Sequence, residues 1–202
     1  VRNYDFPAFL CEGTILRSHW LDKNVIAMAD CVWGVLDGIN DAGLSVSINY
    51  GGRLIEGKGF AITIVVRYIL ETCSSVEEAI AVFKRVPVHL DYNIALLDKT
   101  GNHATVFIAP DQDPHITLET TSTNHQAHVK DGKPLFLEDS GTRLDALNRI
   151  NINDGQPLAQ TITQFLNPPL YRPHDGNESG TLYTAVYNPY AGYASYIWPH
   201  NS

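Results

Sequence analysis

Arg2 and Asp5 stand three residues apart in VRNYDF, with Val1, Tyr4 and Phe6 around them. An arginine and an aspartate in that setting are either a strand-end ion pair, which contributes little when exposed, or charged supports for a reacting group. Asn49 ends an alternating run and leads straight into Gly51 and Gly52, where backbone can approach a ligand closely. A turn residue explains it as well. Asn124 follows a strand-like run and precedes His125, and turn chemistry suits it too. Arg143 falls in the first turn of a helix expected over Ser140–Ile150, where a cation opposes the helix macrodipole. That placement points to a specific anionic partner. The familiar nucleophile and phosphate patterns are absent: there is no GxSxG, HExxH, P-loop or GxGxxG.

Two other residue sets bear on chemistry. His125 and His128 are spaced as metal ligands on a helix would be. Their Thr-rich surroundings read as strand and turn, and strand period places them on opposite faces. Cys11, Cys31 and Cys73 are odd in number and widely spaced, with no CxxC pair, which speaks against a zinc cage or redox motif. They are expected to be reduced, buried packing residues.

The elements that must position these groups follow from periodicity. Alternation over Cys31–Leu36 and Leu44–Asn49, joined through Asp37–Gly43, predicts a hairpin. Tyr92–Leu97 with His103–Ala109, and Thr181–Tyr187 with Tyr193–Trp198, predict two more. Ser75-Val76-Glu77-Glu78 reads as a capping box opening a helix with Val76, Ala79, Ile80 and Phe83 on one face. Ile62–Leu70, Ser140–Ile150 and Pro157–Phe165 are further helices, and Asn167–Gly180 reads as a long loop. Strands and helices in separate runs indicate an α+β protein, with residues 1–202 forming one domain.

Composition limits the function classes. The 202 residues, 44% hydrophobic and 18% charged, are those of a globular chain. A formal net charge of −8 argues against a general nucleic-acid binder. No apolar run reaches the ~20 residues of a membrane-spanning helix. Nothing at the start resembles a signal peptide, while the lack of an initiator Met leaves room for a removed leader. The cytoplasm is the favoured compartment.

Taken in order, RNYDF, GINDAGLSVSINYGG, TSTNH, SGTR and TLYTAVYNPYAGYASYIW become specific. The succession resembles the choloylglycine hydrolase and penicillin V acylase superfamily of N-terminal nucleophile (Ntn) hydrolases. It is most similar to the acyl-CoA:6-aminopenicillanic acid acyltransferase-like branch, over Arg2 to Trp198. The resemblance implies a four-layer αββα sandwich of two antiparallel sheets. It also implies attack by an N-terminal cysteine on a linear amide, giving an acyl-enzyme, with the cysteine's own α-amino group as base. Arg2 then matches an arginine beside the sulfur, which favours thiolate, and Asp5 an aspartate that orients the α-amino group. Asn49 and Asn124 match the two asparagines of the oxyanion site, although Asn40 offers another alignment for the first. Arg143 matches an arginine that holds the network together. Tyr50, Tyr171 and Trp198 are candidates to line an apolar acyl pocket.

In that family the nucleophile lies about fifteen residues ahead of the RNxD motif, at the start of the mature chain. The expectation is therefore a cysteine and a first strand upstream of Val1, the domain being N-terminally incomplete as written. The alternative is an inactive relative that keeps the fold and binds a small ligand. No metal or organic cofactor is implied, since thiol, amine and hydrogen-bond donors suffice. The expected partner is a small-molecule amide or acyl substrate, with neither nucleic acid nor membrane. Family analogy leans towards a homo-oligomer.

Overall fold

The computed structural model describes residues 1–126, 128–129, 137–150, 155–174 and 179–198, with backbone alone at 137 and 138. Part of the loop expected over Asn167–Gly180, residues 175–178, lies outside the described residues.

The strands are β1 (Arg2–Phe6), β2 (Ile15–Ser18), β3 (Val25–Asp30), β4 (Gly34–Asn40) and β5 (Leu44–Tyr50), then β6 (Tyr92–Asp98), β7 (His103–Ala109), β8 (Gln112–Thr117), β9 (Gly180–Asn188) and β10 (Tyr193–Ile197). The helices are α1 (Ile62–Thr72), α2 (Val76–Phe83), α3 (Leu137–Arg149) and α4 (Leu158–Phe165). Strands β2 to β8 form one antiparallel meander in sequence order, while β1, β9 and β10 form a second antiparallel sheet ordered β1-β9-β10. The α+β class and the three hairpins follow the sequence expectation; β2 and β3 extend the larger sheet where no strand was expected.

One face of the seven-stranded sheet is closed by α1 and α2. Ile62, Val65, Val66, Ile69 and Leu70 recur at helical spacing on α1 and are all buried. That stripe outweighs the low helix propensity of its β-branched residues. Gly38 on β4 lets α1 approach: a Cβ there would lie 2.9 Å from Leu70 Cδ1. The Ser75 hydroxyl caps α2 by accepting from Glu78 N at 3.2 Å, while the Glu78 carboxylate accepts from Ser74 N at 2.6 Å. The capping box is thus present but its return bond lands one residue early.

The three-stranded sheet covers the other face, and α3 and α4 lie beyond it. Arg2 and Tyr183 reach Asp37 across the inter-sheet space, whereas Asn3 Nδ2 donates to the carbonyls of Phe165 (2.8 Å) and Leu170 (2.9 Å) on the helical side. The order of layers is therefore αββα. Among the described residues no helix is long and apolar enough to cross a membrane.

Two expectations are corrected. Asp37–Asn40 belong to β4, a strand buried along its whole length, so the connection to β5 is only Asp41-Ala42-Gly43, with Gly43 at φ 84°. Strand is available to Asp37 because partners from the other sheet satisfy its carboxylate. Helix α3 starts at Leu137, so Arg143 sits in its second turn and the macrodipole argument for it fails.

Candidate active site

Strand β1 is an edge strand, paired to β9 on one side only. Period-two alternation places residues three apart on opposite faces. Arg2 accordingly reaches the seven-stranded sheet and Asp5 reaches α3. Both border one cavity at the open edge of β1, next to a register shift between Tyr4 and Asp5. Here Val1 to Phe6 all line a cavity of about 970 Å³, within the range of about 300–1,000 Å³ usual for small-molecule sites.

Three of the expected residues are hydrogen-bonded to one another at this edge. Arg143 Nη1 donates to Asp5 Oδ2 at 3.1 Å, and Nη2 donates to Asn124 Oδ1 at 3.0 Å. One guanidinium therefore ties a carboxylate on β1 to a carboxamide in the loop after β8. The anionic partner inferred for Arg143 exists, for a reason other than the one the sequence offered. Asp139, one turn earlier on α3, adds a second carboxylate at 3.3 Å. Asp5 Oδ1 also accepts from the Thr181 hydroxyl at 2.7 Å. Since Asn124 Oδ1 is taken by Arg143, its Nδ2 must point the other way, where it donates to Tyr50 O at 3.1 Å and, among the described residues, keeps one N–H free.

Asn49 lies on the cavity wall, donating from Nδ2 to Ser122 Oγ at 3.2 Å. Asn40, the other alignment, is buried elsewhere: its Nδ2 donates to Leu70 O and Cys73 O at 2.9 and 2.8 Å. Gly52, at φ 94°, packs so closely on the Asn124 loop that an added Cβ would overlap the Asn124 carbonyl. This close approach is what the paired glycines provide.

Arg2 is buried and is held by Asp37, which has no exposed surface. Asp37 also accepts from the hydroxyls of Tyr183, at 2.6 Å, and Tyr187, whose oxygen is 2.9 Å from the Tyr196 hydroxyl and accepts from it. Burial alone would lower the Arg2 pKa, but Asp37 and the tyrosines hold it above its ordinary value. Burial first, then the Asp37 charge, pushes the Tyr183 and Tyr187 hydroxyls up. Arg2 is a permanent cation whose Nε carries no hydrogen-bond partner among the described residues. Sequence reasoning missed Asp37 because it read LDGIN as a turn. An aspartate inside an otherwise apolar alternating run was the available signal.

Tyr50 lines the cavity; Tyr171 and Trp198 do not. Trp198 packs with its ring centroid 5.5 Å from that of Tyr183. Of the cysteines only Cys73 is buried; Cys31 is exposed at the cavity and Cys11 is intermediate, which corrects the expectation of three buried thiols. His125 Nδ1 lies 2.8 Å from Ser140 Oγ, and burial followed by the Arg143 charge lowers its pKa. His128 instead stacks on His115, with ring centroids 4.3 Å apart. Among the described residues no three metal-ligating side chains cluster.

Two packed antiparallel sheets between helical layers, with a charged cluster at the open edge of the smaller sheet, define the Ntn-hydrolase sandwich. The chain belongs to the family described as acyl-coenzyme A:6-aminopenicillanic acid acyl-transferase, whose model matches residues 1–202. Its fold is similar to that of penicillin V acylase from Agrobacterium tumefaciens, with a TM-score of 0.55 at 16% identity, covering 98% of this chain and 77% of that one. It is also similar to the Caenorhabditis elegans N-acylethanolamine-hydrolyzing acid amidase ortholog (TM-score 0.58, 15% identity, 94% and 86% covered). A variant of conjugated bile acid hydrolase from Clostridium perfringens gives a TM-score of 0.55 at 16% identity, with 99% and 80% covered. No curated protein matches the chain.

Proposed function

We propose that this chain is the greater part of a cysteine Ntn amidohydrolase or acyltransferase that opens linear, non-peptide amide C–N bonds through an acyl-enzyme. The observation that carries the reading is the Asp5–Arg143–Asn124 relay beside Arg2, assembled from three separate stretches of chain on one cavity. The nucleophile is a cysteine supplied from ahead of Val1, its α-amino group serving as the base.

Each lining group then has a task. The Arg2 cation, fixed by Asp37, stabilises the thiolate over the thiol. Asp5, already oriented by Arg143 and Thr181, accepts from the α-amino group and sets its lone pair for proton removal. The sulfur attacks the amide carbon, and negative charge develops on the carbonyl oxygen. The free N–H of Asn124 and a donor at Asn49 stabilise that oxyanion. The amine leaves with the proton held by the α-amino group, and water or a second amine resolves the thioester. The amide-hydrolysing activities in the names of the similar structures support the same reaction class here.

Full-length protein treated with an iodoacetamide probe tests this. One cysteine upstream of Val1 should label fast at neutral pH, and Arg2→Ala should slow it. Cys31 serves as an internal slow control, because its hydrogen bond to Asp30, then burial, push its thiol up to about 11. Slow labelling confined to Cys11, Cys31 and Cys73 would instead indicate an inactive relative that binds a small ligand.

A further inference from the structure

Among the described residues, charge on the cavity wall is neutralised in pairs with one exception. Arg2 is matched by Asp37, and Asp5 by Arg143. Asp30, the last residue of β3, lines the same cavity but enters no ion pair among the described residues. Its one side-chain hydrogen bond there is from Cys31 Sγ–H to Oδ2, at 3.1 Å. Among the described residues Oδ1 has no donor.

The setting is built rather than incidental. Asp30 sits before a turn in which Cys31 and Val32 both take left-handed backbone, at φ 53° and 65°. For residues with side chains, and a β-branched valine above all, such geometry costs roughly 1–3 kcal/mol each and persists only where the surroundings enforce it. Here Glu12 does so, accepting from Val32 N at 2.6 Å. The same cavity is walled by Tyr4, Leu36, Ile62 and Tyr92, half-buried or buried. Burial raises the Tyr4 and Tyr92 hydroxyls, and the Asp30 charge adds to both shifts, so its field reaches these rings. A carboxylate against low-dielectric, aromatic walls is a cation subsite.

Position relative to the chemistry follows from the layers. Asp30 pairs with Gly34 in the seven-stranded sheet, two residues before Leu36, whose carbonyl lies 3.4 Å from Arg2 Nη1. On the far side of β1, α3, the residue after it and α4 contribute Leu147, Ile150, Leu158 and Phe165, an apolar lobe without an unpaired charge among the described residues. The open edge of β1 lies between the two.

We infer that Asp30 recognises the amine portion of the substrate, and that this portion carries a second, cationic group: the substrate is an N-acyl diamine or polyamine with its acyl chain in the α3–α4 lobe. The assignment rests on the hydrolase reading above and names the substrate class of that site.

The test uses the full-length protein and three amides of one acyl chain and near-equal length. N-(aminobutyl)decanamide is cationic, N-pentyldecanamide neutral and N-decanoyl-aminobutyrate anionic. Dissociation constants come from calorimetry and turnover from amine release. The cationic amide should bind about tenfold more tightly than the neutral one, equivalent to about 1.4 kcal/mol, and the anionic one more weakly still. In Asp30→Asn the cationic-to-neutral ratio should fall to about one, and Asp30→Glu should restore part of it. Equal binding of all three, or a preference for the anion, overturns the assignment even if all are cleaved. A cation preference without turnover supports Asp30 while refuting the hydrolase reading.

Discussion

Asp37→Asn isolates one term of the site. The substitution keeps shape and one acceptor oxygen but removes the formal negative charge that, among the described residues, pairs with Arg2, in a position with no solvent exposure. Breaking a buried ion pair from one side costs about 3–5 kcal/mol, because the remaining charge is stranded. The weakened bonds to Tyr183 and Tyr187 lie in the same network and do not add independently. For a chain of this size each kcal/mol moves Tm by about 2–4 °C, so a fall of roughly 6–20 °C is expected. Circular dichroism melts and urea titration should agree on the loss. The double variant Arg2→Met/Asp37→Leu should be less destabilised than Asp37→Asn, since it removes both charges and fills the space. A single-variant Tm within about 2 °C of the parent would refute the buried-pair reasoning, the expected shift being several times larger.

Gly52→Ala should displace the Asn124 loop, because the new Cβ overlaps its carbonyl at a positive-φ position. Amide turnover should then fall by about 100-fold, as misplacement by about 1 Å does elsewhere; unchanged kcat would remove Asn124 from the oxyanion site. The contribution of Tyr183 and Tyr187 to stability should be level below about pH 10 and decline as pH rises through their raised folded pKa values. The sign follows from the folded state holding those protons more tightly than the unfolded chain, and Tyr183→Phe/Tyr187→Phe should flatten the decline in alkaline melts. Ser75→Ala removes the cap on α2 and should destabilise the protein by about 1 kcal/mol by urea titration.

Local chemistry accounts for what could be read without coordinates. Ser75 and Glu78 are close in sequence, so their capping bonds are written in four residues. The hairpins at Asp98–Gly101 and Asn188–Gly192 likewise rest on neighbouring turn residues. Strands β2 and β3 escaped because their short, uneven apolar patterns acquire meaning only beside β4. Asp37 was misread for a related reason: a polar residue between apolar ones resembles a turn until its distant partners are known.

The candidate site divides in the same way. Residue types and their order were enough to nominate Arg2, Asp5, Asn49, Asn124 and Arg143, because guanidinium, carboxylate and carboxamide groups are what such chemistry requires. Their convergence is a tertiary fact. The Arg143–Asp5 contact spans 138 positions and the Asn124–Tyr50 contact 74, far beyond any helical or strand period. Which charges are paired, and that Asp30 on the cavity wall has no ion pair among the described residues, likewise depends on the packing of sheets and helices. Periodicity determines each element by contacts a few residues away; the electrostatics of the cavity come from contacts that only the packed layers create.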